Sequence, residues 1–351
     1  MSFFERVNKF VVVWTLSILF SILVAVRLIF AYIVHCTSIP WKPKDRILME
    51  QPACFSDPTY GTHKYATVNR IRLHYVESGD KSKPLMIFVH GFPEMWYSWR
   101  HQITEFNKEY WVVAIDQRGY NQSEKPRGKH NYKIENMIVD LRALVHHLNR
   151  KQCILVAHDW GAFVGWEFVE QNKEMVQKYV MMGVPSRRQY YKLALSTMDQ
   201  FKRSWYFFVF KFPYLAEELL TAGDYAIFYE MWNRKFTDNF TEDDLEAYKY
   251  VFSKSGAITA ALNYYRANSS FICEPAREKD DGAKGMFILG QRDAAISHAA
   301  CIVMANECPK LRVEVIPGAN HFVHQDAPKA TNTLIHDFLG PASNYKVETL
   351  T

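Results

Sequence analysis

Short runs of apolar residues rich in Val and Ile recur along the chain and constrain its fold more than any other feature. They lie at Leu85–Val89, Trp111–Ile115, Cys153–Ala157, Tyr179–Val184, Met286–Leu289 and Val313–Ile316. Runs that are apolar on both sides are typical of strands covered by helices on both faces. Segments with helical spacing, at 134–149 and 162–171, lie between them. Strands and helices that alternate in this way predict a mostly parallel sheet in an α/β domain.

The alternation is interrupted once, between residues 186 and 275. No convincing buried strand occurs there, and 22 of the 90 residues are aromatic. The segment therefore predicts a helical lid over the sheet. A lid rich in aromatic residues favours an apolar substrate pocket, although the rings could equally serve only to pack the lid onto the core. The predicted α/β core comprises residues 64–185 and 276–340, followed by a C-terminal tail at 341–351.

The amino terminus carries a long apolar segment. Residues Phe10–Val26 contain no charge, and after Arg27 the apolar run resumes from Leu28 to Val34. As a helix this stretch would be roughly 37 Å long, enough for a tilted membrane crossing. We expect a tail at 1–9, a transmembrane signal-anchor helix at 10–35 and a linker at 36–63, giving a single-pass protein of the endoplasmic reticulum membrane. Basic residues flank both ends of the run, so its orientation stays open.

Composition excludes several other classes of protein. The chain of 351 residues has 42 Lys and Arg against 37 Asp and Glu, a net charge of +5. Three of these excess positive charges lie in the first fifty residues, so the body is nearly neutral and is not expected to bind nucleic acid. The six cysteines form no C-x-x-C pair, and no glycine-rich phosphate motif is present. We therefore expect neither a metal nor a cofactor.

The stretch Cys153–Ala162 reads as a strand, a tight turn and a helix, with Asp159 on the turn and Gly161 two residues later. This layout presents one side chain at the edge of a sheet. A lone Asp after a strand is ordinarily a helix cap, but a carboxylate in this position can also attack a saturated carbon and form an ester. Hydrolysis of that ester by water then needs a base and an oxyanion site.

Further residues follow other predicted strands, where such a mechanism needs them. The turn His90-Gly91-Phe92 can offer the N–H of Phe92 to an oxyanion, together with the N–H of Trp160. Asp293 follows the strand at 286–289 and His321 follows the strand at 313–316. We predict His321 as the base that activates water and Asp293 as the group that orients it. His324, three residues later, is the rival base.

These residues resemble the epoxide hydrolases of the α/β-hydrolase fold, including their membrane-anchored relatives. The matching stretches are HGFPEMWYSWRHQ (90–102), DQRGYNQSEKP (116–126), HDWGA (158–162), ALNYYRA (261–267), GQRDA (290–294) and NHFVHQDAP (320–328). The resemblance implies conversion of an epoxide and water to a vicinal diol, without a cofactor. It also implies two lid tyrosines that donate hydrogen bonds to the epoxide oxygen. Tyr265 matches the second of them, and Tyr206 is the best match for the first among several neighbouring rings.

Two departures from the family pattern are modest. Asn121 stands where the family usually has glycine, and Phe322 stands where tryptophan is common. Neither departure removes a predicted catalytic group.

Two other functions remain as alternatives. A haloalkane dehalogenase shares the Asp nucleophile, and Trp160 could serve as a halide ligand, but a halide leaving group needs no proton donor such as the lid tyrosines. A non-catalytic protein could keep the pocket as a receptor, yet no expected catalytic residue is missing. The aromatic lid and the apolar amino terminus together favour a lipophilic, fatty-acid-type epoxide as substrate.

Overall fold

The fold is built on one eight-stranded sheet, seen in a computed structural model that describes residue 11 and residues 14–27, 50–232, 239–268 and 284–350. The strands are β1 (Thr62–Val68), β2 (Ile71–Ser78), β3 (Leu85–Val89), β4 (Trp111–Ile115), β5 (Cys153–His158), β6 (Val176–Met182), β7 (Lys284–Gly290) and β8 (Arg312–Ile316). Their order across the sheet is β1-β2-β4-β3-β5-β6-β7-β8. The contacts of β2 with β1 and with β4 are antiparallel and all others are parallel. The sheet is therefore mixed but mostly parallel, as predicted.

Helices cover the sheet and build the lid. They are α1 (Arg100–Phe106), α2 (Ile134–His147), α3 (Trp160–Gln171), α4 (Arg187–Ser196), α5 (Met198–Arg203), α6 (Trp205–Val209), α7 (Leu215–Met231), α8 (Glu242–Ser253), α9 (Ala257–Asn268), α10 (Ala299–Glu307), α11 (Val323–Asp326) and α12 (Pro328–Leu339). Helices α4 to α9 come from the segment predicted as the lid. Helix α7 is interrupted at residues 222–225, where the backbone leaves helical geometry.

The central strands are buried on both faces. Every residue of β3, β4 and β5 is buried, and most of these side chains are apolar. Strand β6 begins at Val176, earlier than the predicted start at Tyr179, because Gln177 and Lys178 extend it at the half-buried rim of the sheet. The strand also ends at Met182 instead of Val184, since Gly183 turns the chain with a positive φ of 77°. Parallel strands place their carboxyl ends along one edge, and the predicted site residues follow those ends.

Strands β1 and β2 form an antiparallel hairpin. Asn69 and Arg70, its two turn residues, have φ values of 44° and 64°. Positive φ at both central residues is the conformation that two-residue hairpin turns favour, because its twist matches that of the strands. This hairpin forms one edge of the sheet.

The structure describes only part of the amino-terminal segment for which we predicted a tail, an anchor helix and a linker. Residues 14–27 are helical, whereas the predicted tail at 1–9, residues 28–35 of the predicted anchor and residues 36–49 of the linker lie outside the described residues. Residues 269–275, at the predicted end of the lid, also lie outside them. Among the described residues, no helix combines the length and the apolar character that a membrane crossing requires.

Candidate active site

Asp159 occupies a sharp turn between β5 and α3. Its φ of 49° and ψ of −119° are unusual for a residue other than glycine, and its side chain makes no capping bond to α3. The helix-cap interpretation of this residue is therefore wrong. A Cβ atom at Gly161 would lie 2.2 Å from the carbonyl oxygen of Val89, so only glycine allows the turn to approach β3 this closely.

The oxyanion turn lies directly against this carboxylate. The N–H of Phe92 donates to Asp159 Oδ1 at 2.9 Å, and Trp160 is the first residue of α3. A Cβ atom at Gly91 would lie 2.4 Å from the Cβ of Asp159, so any side chain there would push the turn away. The carboxylate oxygen thus already occupies a place where a backbone N–H group can stabilise negative charge.

His321 bridges two carboxylates. Its Nδ1 lies 2.7 Å from Asp293 Oδ2 and its Nε2 lies 3.4 Å from Asp159 Oδ2. Burial alone would lower the pKa of His321, but the charge and hydrogen bond of Asp293, together with those of Asp159, raise it well above its usual value. Asp293 is fixed in turn, because its Oδ1 accepts hydrogen bonds from the N–H groups of Ala295 and Ile296 at 2.7 and 2.8 Å.

The lid places Tyr265 against the turn and Tyr206 against Tyr265. The Tyr265 ring packs edge-on against Trp160 and Phe92, with centroids 5.0 and 5.2 Å apart, and its hydroxyl is hydrogen-bonded by the Trp160 side chain. The rings of Tyr206 and Tyr265 are 5.9 Å apart. Burial, reinforced by the Asp159 carboxylate, raises the pKa of both hydroxyls well above the usual value. Both side chains therefore keep their protons, and the Tyr206 hydroxyl is hydrogen-bonded to that of Tyr190.

Tyr264 gives a useful contrast, since it is the direct neighbour of Tyr265. Its hydroxyl donates to the backbone oxygen of Arg118 at 2.8 Å. This hydrogen bond to the backbone is a purely structural role. The choice of Tyr265 over Tyr264 therefore rests on orientation: only one of the two hydroxyls is directed at the Trp160 side chain.

The rival base His324 lies beside Glu94 and not beside Asp159. Its Nε2 lies 3.1 Å from Glu94 Oε1, and burial lowers its pKa to about 4 despite that carboxylate. The structure assigns to His321, and not to His324, the position between Asp159 and Asp293.

Among the described residues, Glu94 lies beside the site and was not predicted from the sequence. Its Oε2 accepts from the N–H of Gly91 at 2.7 Å and lies 2.7 Å from His158 Nδ1, and its Oε1 accepts from the side chain of Gln325 at 3.0 Å. Burial by itself raises the pKa of Glu94, yet His158 and His324 hold it well below its usual range. One buried carboxylate thus joins the turn at Gly91, the residue before Asp159 and the segment that carries His321.

Glu94, His158 and His324 also form a cluster of potential metal ligands, with their ligand atoms within 4.8 Å of one another. The oxygens of Glu94 and Nδ1 of His158 are committed to the contacts just described, whereas neither ring nitrogen of His324 has a hydrogen-bond partner among the described residues. The signal for Glu94 was its place three residues after Gly91 in the stretch HGFPE.

Comparisons with known proteins identify the family of this chain. Residues 84–328 match the family model of the alpha/beta hydrolase fold. The chain is 39% identical to epoxide hydrolase 1 of Caenorhabditis elegans over 285 residues, covering 79% of this chain and 70% of that protein. It is 34% identical to human epoxide hydrolase 4 over 300 residues, covering 82% of each.

A solved structure of an epoxide hydrolase from Bacillus megaterium superposes with a TM-score of 0.72 at 30% identity, over 79% of this chain and 99% of that one. The fold and site thus define an α/β hydrolase with an aspartate on the turn between β5 and α3. More narrowly, the chain belongs to the epoxide hydrolases of the α/β-hydrolase fold, and it is a hydrolytic enzyme.

Proposed function

We propose that the enzyme opens a lipophilic epoxide in two steps through a covalent ester of Asp159. In the first step Asp159 Oδ2 attacks an epoxide carbon, while Tyr206 and Tyr265 donate hydrogen bonds to the oxygen that leaves. An alkoxide is a poor leaving group, so this oxygen needs a proton donor. The observation that carries the proposal is the geometry of Asp159, which lies uncapped on a strained turn with one oxygen held by Phe92 and the other facing His321.

In the second step water hydrolyses the ester. His321 takes a proton from water, and Asp293 stabilises the imidazolium that forms. The N–H groups of Phe92 and Trp160 then hold the developing oxyanion of the Asp159 carbonyl. Collapse of this intermediate breaks its bond to the diol oxygen, which takes the proton of the His321 imidazolium, while the second proton of the water replaces the one supplied by the lid tyrosines. Asp159 is then again a carboxylate, and no metal or cofactor takes part.

A lipophilic substrate is supported by the rings around the site. Phe92, Phe207 and Phe210 have ring centroids within 5.2 Å of the Tyr265 ring. A variant of the Bacillus megaterium enzyme, 29% identical to this chain, has been solved with a naphthyloxy-propanediol product. We further propose that the apolar segment at 10–35 anchors the enzyme to a membrane, which would concentrate such substrates near it.

A single turnover in water labelled with heavy oxygen, with enzyme in excess, tests the two-step route. An ester of Asp159 predicts that the first diol carries mainly light oxygen from the carboxylate, and that the heavy label enters Asp159 itself. The Asp159→Asn variant, which has nearly the same shape, should form no diol at first. Heavy oxygen in the first diol would show direct attack by water and end the proposal.

A further inference from the structure

The amino-terminal helix packs along the outer side of the lid. Phe20 stacks on Phe208 of α6 with ring centroids 5.5 Å apart and also meets Phe201 of α5 at 6.4 Å. Trp14, two turns earlier, packs edge-on against Phe212 at 5.8 Å. Residues 14–20 thus lie against the lid over their whole length, and do not project away from it.

This helix does not show the polarity of a helix exposed to water, because its outer side is largely aliphatic and its inner side combines Leu16, Phe20 and Val24 with two serines. Ser17 and Ser21 lie on its inner side and are 0% and 6% exposed. The outer side presents a row of aliphatic residues that are half or more exposed: Val11, Ile18, Leu19, Ile22, Leu23 and Val26. A surface helix in water places its apolar stripe toward the core and its polar residues outward. Isolated exposed aliphatic residues are common, but a continuous row marks an interaction surface.

Exposed apolar residues also occur on the lid near its contacts with the helix, since Met198 lies three residues before Phe201 and Tyr214 lies two residues after Phe212. Leu195 at the end of α4, Met198 in α5 and Tyr214 just before α7 are 60%, 67% and 83% exposed. Lys202 is exposed one turn after Met198, on the same side of α5. A lysine at the rim of an apolar surface can keep its ammonium group at the level of lipid headgroups while its stem stays in the apolar layer. We call Leu195, Met198, Tyr214 and the aliphatic row of the helix the lid face.

We propose that the lid face lies against a lipid bilayer, with the amino-terminal helix lying along the membrane surface between the lid and the lipid. The inference rests on the membrane anchoring proposed above and adds which side of the enzyme meets the membrane. A bilayer fits better than a protein partner, because the row from residue 11 to residue 26 bears no charge and protein interfaces are about as polar as the rest of a surface. The apolar sequence also continues through residues 28–34, and Lys202 provides charge complementary to anionic headgroups.

The arrangement brings the bilayer close to the substrate site. Phe208, which stacks on Phe20, is two residues from Tyr206 in the same short helix α6. A lipid-dissolved epoxide would therefore meet the enzyme on the side that carries one of its two proton donors.

Fluorescence quenching by lipid tests the proposal in the full-length chain. The variants Met198→Cys and Val347→Cys are each labelled with an environment-sensitive fluorophore, and the unsubstituted chain gives the background from native cysteines. Val347 is a matched control because it is also exposed, at 41%, but lies far from the lid. Its neighbours Lys346 and Glu348 are hydrogen-bonded to Gln177 and Lys151, at the amino-terminal ends of β6 and β5. Vesicles of phosphatidylcholine and phosphatidylserine carry a quencher in their acyl chains. Insertion by about 5–10 Å predicts loss of roughly half or more of the fluorescence at position 198 and little loss at position 347.

The outcomes distinguish the lid-face proposal from the membrane anchoring. Cosedimentation with vesicles but no quenching at position 198 would overturn the lid-face proposal and leave the anchoring intact. Protection of position 198 through self-association without vesicles would also overturn it, in favour of a second copy of the chain. No binding to vesicles would contradict both the anchoring and the lid face. Diol formation measured in detergent on the same samples reports the proposed reaction independently, because neither labelled residue belongs to the site.

Discussion

The substitution Asp293→Asn should separate the two chemical steps. When His321 takes a proton from water, its imidazolium lies beside the Asp293 carboxylate, with 2.7 Å between Nδ1 and Oδ2. The side chains are 10% and 0% exposed, so solvent screens the pair little. With an effective dielectric constant of about 20 and about 4 Å between the charge centres, the attraction is about 4 kcal/mol. Its loss corresponds to a roughly thousandfold slower hydrolysis of the ester.

Attack by Asp159 needs no proton transfer to His321, so the first step should survive in this variant. We expect rapid mixing of Asp293→Asn with excess epoxide to give enzyme that carries the mass of one substrate, detected by mass spectrometry of the intact protein. Asp326→Asn is the matched control: it makes the same change in a carboxylate that accepts from the N–H of Asn320, and it should turn over within a few-fold of the parent. Fast diol release from Asp293→Asn, without accumulated ester, would refute the assigned role of this pair.

Three further expectations concern protons. Formation of the ester removes one of the two carboxylate charges beside His321 and so lowers the pKa of its ring. As the pH falls, single-turnover hydrolysis should therefore slow only below the pH at which the His321 ring titrates by NMR in the resting enzyme. Equal pKa values for hydrolysis and for the resting ring would contradict this. Tyr265→Phe and Tyr206→Phe should each slow ester formation by about tenfold or more, whereas Tyr264→Phe should cost about 1 kcal/mol of stability in urea unfolding and leave that rate unchanged. Burial raises the pKa of Asp326 from 3.8 to about 6, so the folded state holds this proton more tightly, and the free energy of unfolding falls as pH rises from about 4 to 6. The variant Asp326→Asn should then exceed the parent in stability by at most about 3 kcal/mol near pH 8 and by nothing near pH 4; an equal difference at both pH values would contradict the cause.

The parts of the fold set by local sequence were predictable. The limits of β3 and β4 agree with their apolar runs to the residue, because a buried strand is bounded by turn residues on both sides. The same holds for the turn at Asp159, where a strand, Gly161 and a helix follow one another directly. Asn121, which replaces the usual family glycine, adopts a φ of 38°, as the tolerance of asparagine for positive φ predicts.

The features that the sequence did not predict depend on contacts between distant segments. Glu94 and Gln325 are 231 positions apart and are joined by one hydrogen bond, which no local pattern indicates. Phe322, which stands where the family usually has tryptophan, packs against Trp232 of the lid with nearly parallel rings at 4.7 Å. This ring contact joins positions 90 residues apart, so the sequence around Phe322 does not indicate it. The packing of the amino-terminal helix on the lid is of the same kind, since its apolar run predicted a membrane crossing and gave no sign of the aromatic rings it contacts.

Helix α5 contacts both the candidate active site and the amino-terminal helix. Toward the core, Gln200 donates to the backbone of Ala295 and accepts from that of Ser297, both at 2.8 Å, and Arg203 donates to the carbonyl oxygen of Asp293 at 2.7 Å. On its other side, Phe201 touches the amino-terminal helix. A displacement of the amino-terminal helix would therefore be transmitted through α5 to Asp293, the residue proposed to orient His321. If that helix lies on a membrane, a change in the packing of the lipids would then alter the rate of ester hydrolysis, separately from the supply of substrate.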